Sequence, residues 1–157
     1  MIELRQIRDL APNDLAPLLS ASAAEGFCFV ARLAAEWDGG VARYDGAGET
    51  LLGASDGERL VAVGGLTADP YGGAADVGRL RRVYVMPEAR GQGIGRRLVS
   101  ALEAVAAGQY RVLVLRTDTE AAARFYEAMG YVRLPPGGTA THARRLAAAE
   151  SSGEPAA

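Results

Sequence analysis

Arg90, Gly93 and Gly95 fall at positions one, four and six of Arg90-Gly91-Gln92-Gly93-Ile94-Gly95. That spacing could turn backbone into an anion site. The stretch follows the apolar run Val83-Tyr84-Val85 and precedes the helix-like run Arg96-Arg97-Leu98-Val99-Ser100-Ala101-Leu102. Glycines let the chain adopt φ > 0 and approach a ligand closely, while the first N–H groups of a helix stay unpaired and point outward. A diphosphate is therefore the first ligand to consider. Arg96 stands in the first helical turn, where a cation opposes the helix dipole and an anion nearby would compensate it.

The surrounding elements must present that turn. Ile2, Leu4 and Ile7 suggest a first strand, and Asn13-Asp14 can cap a helix carrying Leu15, Leu18 and Leu19. Phe29, Leu33 and Trp37 recur every four residues, which predicts a helix from Phe27 to Trp37 stopped by Gly39-Gly40. Thr50–Ala54, Arg59–Leu66 and Gly78–Val85 are expected strands, followed by the turn and a helix to about Ala107. Tyr110–Leu115 is a further strand candidate. Glu120–Met129 is helical, with Thr119 as N-cap and Gly130 as the stop. Tyr131–Leu134 and Thr139–Leu146 complete a β-α-α-β-β-β-α-β-α-β-β order, a mixed α/β (α+β) sheet flanked by helices. Residues 1–147 are expected to form one domain and 148–157 a disordered tail.

Composition narrows the chemistry further. A chain of 157 residues with 49% hydrophobic and 23% charged content suits one soluble domain, and its net charge of −2 carries no footprint for nucleic acid or anionic membrane. The basic residues are all Arg, which removes lysine nucleophiles and Schiff bases. Cys28 is the single cysteine, so neither an intrachain disulfide nor a multi-cysteine metal site is available. Its neighbours Phe27, Phe29 and Val30 predict a buried thiol. Without a signal-like leader or a run long enough to span a membrane, the sequence suggests a cytoplasmic protein.

Two familiar glycine patterns fail on counting. A Walker loop needs Lys after its last Gly, and Arg96 stands there. The dinucleotide pattern G-x-G-x-x-G would need a third glycine where Arg96 or Leu98 lies. The pattern R/Q-x-x-G-x-G/A is met by Arg90, Gly93 and Gly95, and it resembles the pyrophosphate-binding motif of the GNAT acetyltransferases. The likeness extends from Leu80 to Leu98. A second stretch, Ala122-Ala123-Arg124-Phe125-Tyr126-Glu127-Ala128-Met129-Gly130-Tyr131, resembles that family's A-x-x-[FL]-Y-x-x-x-G-[FY] signature. Together the two cover about residues 60–135.

The resemblance implies a mostly antiparallel sheet of about seven strands with about four helices, splayed at its middle to admit acetyl-CoA. It places pantetheine beside Val83, Tyr84 and Val85, with the diphosphate on Arg90, Gly91, Gln92, Gly93, Ile94, Gly95 and Arg96. Thr119 stands where many relatives carry a cofactor-contacting Asn. Tyr126 aligns with the tyrosine often assigned as general acid, and a phenol is protonated at neutral pH. Many relatives carry a general-base Glu where this chain has Arg79, so either another group takes the amine's proton, directly or through water, with Glu36, Asp69, Asp76 and His142 as candidates, or the substrate binds already deprotonated. Trp37, Tyr44 and Tyr71 could line the acceptor site. The expected reaction is direct attack by a primary amine of a small molecule or peptide, within a ternary complex. A non-catalytic acyl-CoA-binding or sensing module is the alternative. The resemblance is also compatible with a homodimer.

Overall fold

The computed structural model describes residues 1–10, 15–40, 43–72 and 74–146, without the side chain of Phe29. Its elements follow the expected order: β1 (Ile2–Gln6), α1 (Ala16–Ala24), α2 (Phe29–Asp38), β2 (Thr50–Asp56), β3 (Arg59–Ala68), β4 (Val77–Val85), α3 (Ile94–Ala106), β5 (Val112–Leu115), α4 (Glu120–Ala128), β6 (Val132–Arg133) and β7 (His142–Arg145). A single 3-10 turn, Pro87–Ala89, which the sequence reading did not anticipate, leads from β4 to the glycine turn. The Asn13-Asp14 cap and the expected tail at 148–157 lie outside the described residues.

The seven strands form one sheet in the order β1-β2-β3-β4-β5-β7-β6. All pairs are antiparallel except β4 with β5, so the sheet is mixed as expected. Its inner strands are covered on both faces. β2 is buried from Thr50 through Ser55 and β3 from Leu60 through Thr67, the pattern of strands with helices on each side. α3 packs on one face through Ile94, Leu98, Val99, Leu102 and Ala106, whose spacing makes one helical stripe. Burying Leu98 and Leu102 completely contributes roughly 1.5–3 kcal/mol each. The other face takes α1 and α2.

A close approach explains one glycine pair. A Cβ on Gly64 would lie 3.1 Å from Leu102 of α3, and one on Gly65 would lie 2.6 Å from the Tyr44 ring. The missing side chains let α3 and Tyr44 press on β3 from opposite faces.

Tyr110 falls outside β5. Its ring lies over Gly78 and its hydroxyl donates to the Gly48 carbonyl at 2.9 Å, which anchors the start of β5 against β4. Cys28 corrects an expectation: the thiol is exposed, because the residue is the N-cap of α2 and not part of its buried face.

Candidate active site

β4 and β5 part. Their pairing covers only Val77 with Val112, Gly78 with Leu113, and Arg79 with Val114. Beyond Arg79, β4 stays paired with β3 alone, so its other edge faces a gap. The Met86 N–H bonds to the Val61 carbonyl, and alternation along the strand then turns the backbone groups of Val83 and Val85 away from β3, toward that gap. The Arg90 Nε–H donates to the Val85 carbonyl at 2.9 Å.

A bulge reshapes β4 beside the gap. The register with β3 shifts between Val63 and Gly65, which face Tyr84 and Arg81. Within this bulge Arg82 holds φ at +58, a left-handed conformation costing of order 1–3 kcal/mol for a non-glycine residue. The shift turns the adjacent Arg81 and Arg82 to the same α2-facing side. There Glu36 accepts from Arg82 at 2.7 and 3.4 Å, with Arg81 at 3.8 Å. Two neighbouring arginines on an otherwise buried strand were the sequence signal of this bulge, because regular alternation would have sent them to opposite faces.

The glycine turn stands at the end of β4. Gly91 and Gly93 both have φ of +79, and Gly93 is the N-cap of α3. Among the described residues the N–H groups of Gly91, Gln92, Gly93, Ile94, Gly95 and Arg96 have no hydrogen-bond acceptor. Arg96 is exposed, with no acidic partner among the described residues, whereas Arg97 is turned to the Ile2 carbonyl at 3.4 Å. The result is a row of backbone donors with one unpaired guanidinium beside them. An anion fits it. The Gln92 side chain reaches back to the Glu88 carbonyl at 3.4 Å.

Arg90 has a different task from its neighbours. Its guanidinium grips Glu25 with two bonds, 2.7 and 2.9 Å, and lies over the Tyr84 ring, whose hydroxyl also donates to Glu25 at 2.6 Å. Arg90 and Tyr84 hold the Glu25 carboxyl below its usual range, while burial and the Glu25 bond push the Tyr84 phenol up. The glycine turn is thereby tied to the end of α1, a link the sequence did not suggest.

α4 closes the gap from the other strand. Thr119 caps it as expected, accepting from the Ala122 N–H at 3.1 Å. Phe125 brings the two sequence signatures together: a Cβ on Gly95 would meet its ring at 3.4 Å and Val85 at 3.6 Å. Tyr126 packs edge-on between Phe125 and Tyr131, with centroids 5.0 and 5.6 Å away. Burial pushes its phenol well above the usual value, so the group is protonated and able to donate.

The proton-acceptor candidates are scattered. His142 is 1% exposed on β7 beneath α4, with Nε2 2.9 Å from Glu127 and Nδ1 2.9 Å from the Thr141 hydroxyl. A carboxylate at Nε2 calls for a proton there, so Nδ1 accepts from Thr141 and both nitrogens are engaged. Asp76 makes an exposed pair with Arg111. Asp69 is buried against Arg79 at 2.8 Å, and Arg79 also donates to the Thr139 carbonyl at 3.1 Å and stacks on Tyr71. Only Glu36 stands at the bulge, bound to two arginines. Of the aromatic acceptor-site candidates, Trp37 is in the core, Tyr71 is exposed and Tyr44 is buried.

A family model described as an acetyltransferase (GNAT) domain matches residues 47–133, more than half of the chain. The chain belongs to the GNAT acetyltransferase family. This GNAT domain is similar to a provisionally named acetyltransferase of Exiguobacterium sp. 255-15, with 31% identity, a TM-score of 0.83, and 98% and 99% of the two chains covered. Two more distant likenesses concern the fold. A GNAT-family acetyltransferase of Staphylococcus aureus Mu50 has 15% identity and a TM-score of 0.75, over 94% of this chain and all of that one. The GNAT-family N-acetyltransferase YhbS of Escherichia coli, solved in complex with CoA, has 18% identity and a TM-score of 0.68, over 93% and 82% of the chains. Among the described residues of this GNAT domain, no helix is long and apolar enough to cross a membrane and no His, Cys, Asp and Glu cluster could hold a metal ion.

Proposed function

We propose that the protein transfers an acetyl group from acetyl-CoA to a primary amine of a small molecule or peptide, by direct attack in a ternary complex. One observation carries this reading. The parting of β4 from β5 past Arg79 runs toward the glycine turn, whose unpaired N–H groups suit a diphosphate. The CoA seen in the Escherichia coli relative supports the same donor.

In this reading, Gly91 to Arg96 hold the diphosphate and pantetheine pairs with the outward backbone edge of Val83 and Val85. Thr119 caps α4 beside it. N–H groups at the bulge polarise the thioester carbonyl, because the strained Arg82 conformation breaks the ladder there. Attack forms the amide C–N bond as the C–S bond breaks, and the Tyr126 hydroxyl gives its proton to the departing thiolate. The amine proton leaves to water. Glu36 acts as a positioning residue that keeps Arg82 in place, and His142 secures β7 to α4. A cytoplasmic setting and a homodimer remain part of the proposal.

Release of free CoA across a panel of amines tests the reading. Turnover with at least one amine is expected. Tight CoA binding without turnover on any amine would instead support an acyl-CoA-binding module.

A further inference from the structure

The glycine turn has little of its own to hold it in shape. Gly91 and Gly93 sit at φ +79, and a Cβ on either would meet nothing within 4 Å, so open space surrounds both. The backbone gives the turn no ladder, since its N–H groups from Gly91 to Arg96 have no acceptor among the described residues. The Gln92 side chain offers only a long bond, 3.4 Å to the Glu88 carbonyl. Glycine also has the most conformational freedom to lose. Unless something else fixes the turn, its donors must be ordered when an anion arrives, and that ordering subtracts from affinity.

Arg90, the residue just before the turn, supplies a firmer tie. All three of its guanidinium nitrogens are engaged, Nε on the Val85 carbonyl at 2.9 Å, and Nη1 and Nη2 on the two Glu25 oxygens at 2.9 and 2.7 Å. A two-bond fork of this kind fixes direction as well as distance. Its far end is itself anchored. Glu25 is the C-cap of α1, where its N–H reaches the Ala21 and Ser22 carbonyls, Gly26 turns at φ +83, and the Phe27 N–H returns to Ser22. The Tyr84 hydroxyl donates to the same carboxylate at 2.6 Å. Glu25 stands there against local electrostatics, because a carboxylate at a helix C-terminus meets the negative end of the dipole. It also lies one arginine away from an anion site. A residue that breaks local rules in this way points to a role beyond its own helix. The pairing consumes the Arg90 charge, which leaves the exposed Arg96 as the cation that faces the anion.

We infer that Glu25 is a positioning residue for the donor: it holds the Arg90 guanidinium off the diphosphate and fixes the glycine turn at a set distance from the edge of β4. The bond from Arg90 to the Val85 carbonyl supplies the other end of that distance. CoA must reach both places at once, with pantetheine on the strand and the diphosphate on the turn. Two contacts on one ligand reinforce each other only where their spacing matches it. The inference rests on the donor assignment above and adds what keeps the two halves of that site in register.

Calorimetry with CoA tests this on the full chain, comparing the wild type with Glu25→Gln, Arg90→Met and the double variant. Both side chains are partly exposed, so neither substitution opens the core. The sign of the change decides the matter. Were Arg90 a phosphate ligand, Glu25→Gln would free its cation, remove a nearby negative charge and tighten CoA binding. The clamp predicts the reverse, a CoA affinity lower by roughly threefold to tenfold. Arg90→Met should lose at least as much, and the double variant no more than Arg90→Met alone, because both changes break one connection. In turnover with any amine accepted, Glu25→Gln should raise the KM for acetyl-CoA and leave kcat and the KM for the amine unchanged. Unchanged or tighter CoA binding in Glu25→Gln, or losses that add in the double variant, would overturn the inference and leave the donor assignment standing. So would a lower kcat at an unchanged KM for acetyl-CoA. Wild-type protein that binds no CoA would sink both.

Discussion

The two faces of β4 are built from different materials. On the α3 face and at the strand's end the chain offers backbone: an edge at Val83 and Val85 left unpaired by β5, with the Val85 carbonyl held by Arg90, then the unpaired N–H groups of the glycine turn. On the α2 face it offers charged and phenolic side chains drawn from distant segments, Glu36, Tyr44, Asp69, Arg79, Arg81 and Arg82. Under the proposed function the first face meets a constant donor and the second a particular acceptor. Backbone recognition needs a conformation, which a few glycines encode locally. Side-chain recognition needs an assembly that one short motif cannot encode.

Substitutions can break that division, and the largest effect is expected on the side-chain face. Asp69→Ala would leave Arg79 buried without its carboxylate partner, costing about 3–5 kcal/mol in a urea-unfolding measurement. A loss under 1 kcal/mol would mean that the network contributes little. On the backbone face, Gly93→Asp places a carboxylate among the donors. The structure leaves open space for a Cβ at Gly93, so charge and the left-handed conformation, not a clash, do the damage. CoA affinity measured by calorimetry should fall roughly a hundredfold, about 2.7 kcal/mol, with amine preference unaltered.

Tyr126→Phe tests whether α4 contributes chemistry or only packing. A kcat lower by roughly tenfold to a hundredfold at unchanged CoA affinity is expected, and an undiminished rate removes the acid role. Thr119→Ala should cost about 1 kcal/mol of thermal or urea stability through the lost cap.

The smallest effect concerns the clamp joining the faces. Glu25 has a folded-state pKa below its ordinary 4.5, so its contribution is present above pH 4.5 and is lost as pH falls through the lower folded value. Glu25→Gln should therefore flatten the acid limb of the stability curve, with the difference from wild type disappearing at the lowest pH. A constant difference across that limb would contradict the assignment.

The same contrast explains what could be read from residue order. The four-residue recurrence of Leu33 and Trp37, the Thr119 cap and the Gly130 stop gave helix positions because each is a local rule. The glycine spacing marked the turn for the same reason. Glu25 was invisible, since its partner Arg90 lies 65 residues away, and Tyr44 could be nominated only as an aromatic. Cys28 misled because apolar neighbours at a helix start do not share one face with it. His142 was legible as a strand residue, but its engagement by Glu127 depends on how α4 crosses β7.

The parted strands also make a sheet edge inside the molecule, with backbone groups of β4 left to water. Whatever pairs with that edge finds it only in the folded chain, so ligand concentration becomes a term in folding stability. A ligand present at a hundred times its Kd adds about 2.7 kcal/mol by mass action alone. If that ligand is the acyl donor, the lifetime of the folded protein in a cell would track the supply of the metabolite it consumes.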